Sequence, residues 1–232
     1  MPDLSTRSSQ PEVMDDPCVP PEDMCRALAE LETINRRLGG HATSLAGVAR
    51  LLPAGTKRLS LLDVGTGGGD FPRALVTWAT RRGITASVRG IDLAGAAVEF
   101  ARDRSRGFEA IAFSQEDLFD IQAERSFDVV HAALLLHHFE DGRASEALRK
   151  MHALGEWGVV INDLHRHPFA YHSIRILTSL FSRSRLIRSD APISVARAFS
   201  RTELVGLAAT AGLPCPKIRW RWAFRWQVVI PR

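Results

Sequence analysis

Apolar positions in this chain follow two rhythms. From Glu22 to Leu38, the residues Met24, Ala27, Leu28, Leu31, Ile34 and Leu38 recur at three- and four-residue spacing, which predicts a helix with one apolar face. Gly39-Gly40 ends it, and a second helix is predicted from His41 to Leu52, before Pro53. Beyond this point short apolar runs alternate with helical stretches. Strands are predicted near 59–64, 87–91, 110–113, 127–131 and 157–162, and helices near 71–82, 94–106, 142–153 and 201–211. Such alternation predicts a parallel sheet covered on both faces, with ligands at the carboxyl ends of the strands. An insertion at about 165–199 separates the fifth strand from the helix start Ser200-Arg-Thr-Glu203. Its first half, Pro168 to Ser182, gathers Phe169, Ile174, Ile176, Leu177, Leu180 and Phe181 on a broad apolar face, as a lid over a bound molecule would. Near the end, Arg219 to Trp226 begins with strict alternation and predicts a strand with a buried Trp face and an Arg face.

Composition sets the frame. At 232 residues, with 45% hydrophobic and 24% charged, the chain fits one α/β domain with elaborations. Three segments are expected: a Pro/Ser-rich disordered N-terminus (1–20), a helical cap (21–54), and the main domain (55–232) carrying the insertion. No apolar run approaches the ~18 residues of a membrane span, and no signal-peptide pattern opens the chain. Cys18, Cys25 and Cys215 share no metal or disulfide spacing, which points to a reducing cytoplasm. The net charge of +4 is uneven: from Arg166 onward there are twelve Lys/Arg against two acids. A basic third of this kind suits nucleic acid, an anionic membrane surface or an acidic substrate, or is simply a solvated face.

Candidate chemistry begins at Leu59-Ser-Leu-Leu-Asp63-Val-Gly65-Thr66-Gly67-Gly68-Gly69-Asp70, an apolar strand ending in an acid and opening into four glycines within five positions. Strand, glycine turn and helix N-terminus let backbone approach a nucleotide-like ligand closely. The turn alone does not choose among adenosine ligands. Val88-Arg-Gly-Ile-Asp92, about twenty residues on, places a second strand-end carboxylate where it can accept ribose hydroxyls, or else cap the following helix.

With these pieces in order the chain resembles the class I S-adenosylmethionine-dependent methyltransferases of small-molecule type. LLDVGTGGGD, GIDLAGAAVEFAR, SQEDLFD, FDVVHAALLLHHFED and GEWGVVINDLHR follow the family's sequence over roughly residues 55–165. The resemblance implies an α/β, Rossmann-like fold with a mostly parallel seven-stranded sheet, and S-adenosyl-L-methionine as cofactor. It places Asp63 at the methionine end, Gly65, Thr66, Gly67 and Gly69 in the turn, Asp92 and Leu93 at the ribose, and Asp117 and Leu118 at the adenine; Asp117 reads equally as a turn residue. After the fourth strand, His137 and His138 fall at the family's acceptor face. An imidazole near its ordinary pKa suits a base for a phenol, and a purely positional histidine remains the alternative. Asn35, Arg36 and His41 near the helix break, and Asn162, Asp163, His165, Arg166 and His167 after the fifth strand, are further pocket candidates.

The expected activity is methyl transfer to oxygen of a small hydroxylated aromatic, polyketide or quinone-like molecule. Alternatives are methylation at ring carbon, an RNA or protein substrate, and a non-catalytic cofactor-binding module. Nucleic acid is disfavoured because the Asn/Asp-Pro-Pro-aromatic tetrad of amino-directed enzymes is absent. No metal-binding set is visible. Peripheral membrane contact and oligomeric state are left open.

Overall fold

The computed structural model describes residues 3–122 and 125–232. Its sheet is built from β1 (Arg58–Val64), β2 (Thr85–Asp92), β3 (Ile111–Gln115), β4 (Phe127–Ala133), β5 (Gly155–Leu164), β6 (Lys217–Arg221) and β7 (Arg225–Pro231). Their order is β3-β2-β1-β4-β5-β7-β6. The first five are parallel and β7 runs antiparallel to both β5 and β6. This is the α/β, Rossmann-like arrangement of class I methyltransferases. The order reverses between β1 and β4, and ligands bind at such a switch point.

Helices cover both faces, so the central strands are buried on both sides rather than alternating between buried and exposed. Leu61 packs with Leu75 and Ala79 of α3 (Asp70–Thr80), while Leu62 turns to the other face and packs with Leu148 and Met151 of α5 (Asp141–Leu154). The remaining helices are α1 (Pro21–Arg37), α2 (Gly40–Val48), α4 (Gly95–Arg104), α6 (Pro168–Phe181), α7 (Arg185–Arg197) and α8 (Arg201–Thr210). Of these, α8 starts with a full capping box between Ser200 and Glu203.

Three expectations are corrected. The polar segment 1–20 is not disordered over its described residues; residues 1 and 2 lie outside them. Arg7 stacks over Phe199 at 3.6 Å and donates to the carbonyls of Arg197, His137 and Phe139. Asp190 accepts from the amides of Val13 and Met14, which begin a single 3-10 turn. The segment is held by directed polar contacts, and composition reports only apolar burial.

The tail is a hairpin rather than one alternating strand. Residues 222–224 turn between β6 and β7, so the pattern changes face: Trp220 and Trp222 are exposed while Arg225 is 3% exposed. Finally, the second half of the insertion forms α7, which the sequence reading left unassigned. Pro192 lies inside it, and its buried residues occupy more than one face.

Candidate active site

At the glycine turn, Gly65, Gly67 and Gly69 all have positive φ (64°, 52° and 68°), a region where a β-carbon is strained. A β-carbon on Gly69 would also come within 2.6 Å of the Phe113 ring, so α3 can start this close to β3 only from glycine. Asp92, at the end of β2, accepts from the Gly67 amide at 2.8 Å and from the Ala94 amide at 3.0 Å. One carboxylate thereby fixes the turn and the start of α4. Burial pushes the Asp92 carboxyl up, against the pull of these two amides. Leu93 beside it is exposed. The cradle fits an adenosine ligand: Asp92 keeps unused acceptor capacity, and Leu93 offers an apolar surface.

Asp63 is turned inward. It is 3% exposed, and its oxygens meet Thr66 Oγ1 at 2.7 Å and His131 Nδ1 at 2.6 Å. The pairing follows from register, since Asp63 on β1 lies opposite His131 on β4. His131 continues to Ser44, and Ser44 to Asn162. Asp63 therefore braces the turn through Thr66, and both its oxygens are engaged within the protein. Asp117 accepts from the Phe119 amide at 3.0 Å, capping a 3-10 turn in which Leu118 is buried in the core. On the other side of the turn, Asp70 accepts from Asn35 at 3.2 Å and meets His41 Nε2 at 2.7 Å. Of the three residues expected near the helix break, Asn35 and His41 gather here and Arg36 is exposed.

The acceptor side follows β4. Leu134 has φ 52°, unusual for a branched residue, and donates its amide to Asn162. The chain then enters a 3-10 turn over Leu136–His138. His137 is 1% exposed; its amide donates to Asp163 Oδ2, and its Nδ1 lies 2.6 Å from Asp163 Oδ1. Its Nε2 faces Glu12 Oε1 at 3.4 Å. Burial disfavours the His137 charge, but Asp163 and Glu12 outweigh it and raise its pKa to about 10. Asp163 and Glu12 are held low in return: burial pushes each up, and His137 more than offsets it. The neutral imidazole expected from the sequence is thus replaced by an imidazolium between two carboxylates. His138 meets Asp15 at 3.0 Å and Glu12 at 3.9 Å.

Glu12, His137 and His138 bring side-chain atoms within 4.8 Å of one another, a grouping the sequence reading did not contain. Each imidazole has a carboxylate within 4 Å on both sides: Asp163 and Glu12 for His137, Asp15 and Glu12 for His138. Asp163 is the strand-end residue that orients His137. Asn162 instead serves Gly40 and Ser44, Arg166 pairs with Glu203, and His165 packs on Trp226 and His167. Sequence reasoning missed Glu12, Asp190 and Arg225. No motif marks the first two, and Arg225 was hidden by the tail's apparent alternation.

A cavity of about 150 Å³ connects these groups. Leu134, Leu164, Ile174, Leu177 and Phe224 give it apolar walls, while Glu12, His137, His138, Asp190 and Arg225 supply polar points. Of the apolar face predicted for α6, Ile174 and Leu177 reach the cavity, while Leu180 and Phe181 remain exposed. Leu135, next in the chain to the cavity residue Leu134, packs against Gly65, so one side chain stands between the cavity and the glycine turn. Another concavity, of about 410 Å³ and lined by Ser60, Ser87, Arg89 and Phe127, lies away from the strands' carboxyl ends.

A family profile described as a methyltransferase domain matches residues 61–158. No curated protein matches the chain. Among solved structures, a SAM-dependent methyltransferase from Aquifex aeolicus is 14% identical with a TM-score of 0.64, covering 89% of this chain and 97% of that one. The magnesium protoporphyrin IX methyltransferase of Synechocystis with bound SAH is 18% identical, with a TM-score of 0.58 and 84% of each chain covered. Human N-acetylserotonin methyltransferase with SAM is 16% identical, with a TM-score of 0.65, covering 92% of this chain and 56% of that one. At these identities the solved structures speak for the fold.

Proposed function

We propose that this chain is a class I S-adenosylmethionine-dependent methyltransferase and that it transfers the methyl group to an oxygen of a small, largely apolar hydroxylated molecule. The observation that carries the reading is the cavity: apolar walls, the charged His137–Asp163–Glu12 array at one side, and a position one side chain, Leu135, away from the glycine turn.

When bound, the cofactor supplies a methyl group already activated by its sulfonium. What is left to this chain is placement and one proton. Gly67, Asp92 and Leu93 hold the adenosine end. The cavity walls exclude water and orient the acceptor. An acceptor hydroxyl entering at His137 Nε2 takes the position of Glu12. Its proton passes to the Glu12 carboxylate, since His137 already carries a proton on each nitrogen, and its oxygen, now electron-rich, is held by the His137 Nε2–H, which Asp163 keeps in orientation. His138, tied to Asp15 and Glu12, steadies the N-terminal segment beside the reacting oxygen.

A nucleic-acid substrate is less well supported, because much of the basic C-terminal third is used internally: Arg166 on Glu203, Arg185 on Asp23, Arg188 on Ser182 and Arg197 on backbone carbonyls. No described helix is long and apolar enough to cross a membrane.

The test is incubation of the protein with methyl-labelled cofactor and a cell extract. Label should enter an organic-soluble small molecule as a methyl ether or ester. Label confined to RNA or protein would refute the reading, and label fixed at ring carbon would move it to the C-methylating alternative.

A further inference from the structure

Arg225, the first residue of β7, is 3% exposed, yet its guanidinium is poorly satisfied. Nη2 donates to Asn35 Oδ1 at 2.9 Å, whereas Nη1 has no hydrogen-bond partner among the described residues. Nor does any described carboxylate form an ion pair with it. The acids nearest in effect, Asp163 and Asp70, are engaged by His137 and by His41 with Asn35. Burial lowers the Arg225 pKa to about 10 even with these acids opposing it. A buried cation without a direct counter-charge is strongly disfavoured in the protein alone. This one lines the cavity, among Leu38, Leu134, Leu164 and Phe224.

We propose that Arg225 is the receptor for an anionic oxygen, a carboxylate or the ionised oxygen of an acidic hydroxyl, on a molecule bound in this cavity. Guanidinium suits this task because it stays charged and presents several donors in one plane. The oxygen has two sources. One is the acceptor, which would then be an apolar molecule with an acidic group as well as the methylated hydroxyl, or with that hydroxyl itself acidic. The other is the amino-acid carboxylate of the cofactor, since Asn35 links Arg225 to Asp70 at the start of α3 beside the glycine turn. The acceptor source rests on the function proposed above. Binding without turnover tests it separately from that function.

Arg225→Met and Arg225→Lys are compared with wild type by calorimetry in two arms. The first measures S-adenosylhomocysteine against 5′-methylthioadenosine, which lacks the carboxylate. The second measures 1-naphthoate against neutral 1-naphthamide, each added to the S-adenosylhomocysteine complex. Arg225→Met should weaken the carboxylate-bearing probe of one arm roughly ten- to hundred-fold, the range for hydrogen bonds to charged groups, and leave its neutral counterpart within about threefold. The arm that responds identifies the source.

Arg225→Lys keeps the charge and should retain part of the discrimination; it also serves if Arg225→Met does not fold. The ligand-free Arg225→Met protein should melt no lower than wild type, because an unpaired buried charge has been removed. Equal weakening of carboxylate and neutral probes with a lowered melting temperature would make Arg225 purely structural and overturn the proposal. Unchanged discrimination in both arms would do the same.

Discussion

The two halves of the site are put together differently. On the cofactor side, partners are near in sequence or adjacent in the sheet: Gly67 with Asp92, Thr66 with Asp63, Asp63 with His131 in register. Backbone geometry carries most of the recognition, and glycine conformation sets it. On the acceptor side, the cavity draws on chain segments that are far apart. Glu12 comes from the N-terminal segment, His137 from the turn after β4, Asp163 from the end of β5, Leu177 from α6 and Arg225 from the closing hairpin. Side-chain charges and apolar walls carry recognition there. On the proposed assignment, the local, backbone-built half would suit a fixed ligand, and the half assembled from distant segments would suit a variable one.

If this division holds, the largest effect should come from the acceptor half and spare the cofactor. His137→Ala should lower turnover ~10²–10³-fold, the usual range for losing one preorganised donor to a developing oxyanion, while calorimetric affinity for S-adenosylmethionine stays near wild type. A variant within about threefold of wild-type turnover would leave His137 a positional residue. A large loss of cofactor affinity would erase the boundary between the halves. Asp92→Ala probes the other side. It removes the acceptor of the Gly67 and Ala94 amides and a partner for the ribose, and should weaken cofactor binding by ~1–3 kcal/mol. Unchanged affinity would remove Asp92 from the cofactor site.

The same contrast explains what could be read in advance. Strand order, the glycine turn and the strand-end acids follow from local patterns: apolar runs of fixed length, glycines where φ must be positive, helix starts after each turn. His137 and His138 were legible as residues following β4, and Asp163 as one of several strand-end candidates. Their pairing and the resulting imidazolium were not. That charge state depends on Asp163 and then on Glu12, which lies more than a hundred residues away in the chain with no periodicity to connect it to His137. The N-terminal segment looked disordered because it buries few apolar groups, yet Arg7 and Asp190 fix it through backbone hydrogen bonds. The tail misled in the opposite sense. Its alternation was real, but a turn at 222–224 interrupts it, exposing two tryptophans and burying Arg225.

A smaller effect separates the part of α6 that lines the cavity from the part that does not. Leu177 lines it; Phe181, on the same helix, is 78% exposed. Leu177 is itself 43% exposed, so Leu177→Asp should raise the acceptor KM by roughly three- to tenfold, in line with losing part of one leucine's burial, and Phe181→Asp should change it by less than about twofold. Cofactor affinity should survive both. Equal effects on acceptor KM would mean that the whole helix acts as one lid, and a collapsed thermal transition for Leu177→Asp alone would assign that residue to the core.

The smallest expected effect lies in the pH dependence of stability, and it probes the charge array that distinguishes the acceptor half. His137 has its pKa raised from an ordinary 6.5 to about 10 by Asp163 and Glu12 against the effect of burial. An unfolded imidazole gives up its proton near 6.5, and the folded one keeps it to about 10, so folding binds a proton in between. The stabilisation is therefore complete below about 6.5 and is lost as pH rises toward 10. Glu12 and Asp163, both held below the ordinary carboxylate range, act in the opposite window: their contribution is present above about pH 4 and disappears as the solution becomes more acidic. Melting temperature should accordingly fall by a few degrees between pH 7 and pH 10. Glu12→Gln removes one of the two carboxylates that hold the proton, so its descent should start at the same pH, set by the unfolded imidazole, but end at lower pH and be smaller. In His137→Asn the component should vanish, whatever the absolute stability of that variant. A wild-type melting temperature that stays level from pH 7 to 10, or a descent of the same size in His137→Asn, would show that the imidazole is not held charged in the folded protein. The proton would then have to leave the acceptor by another route.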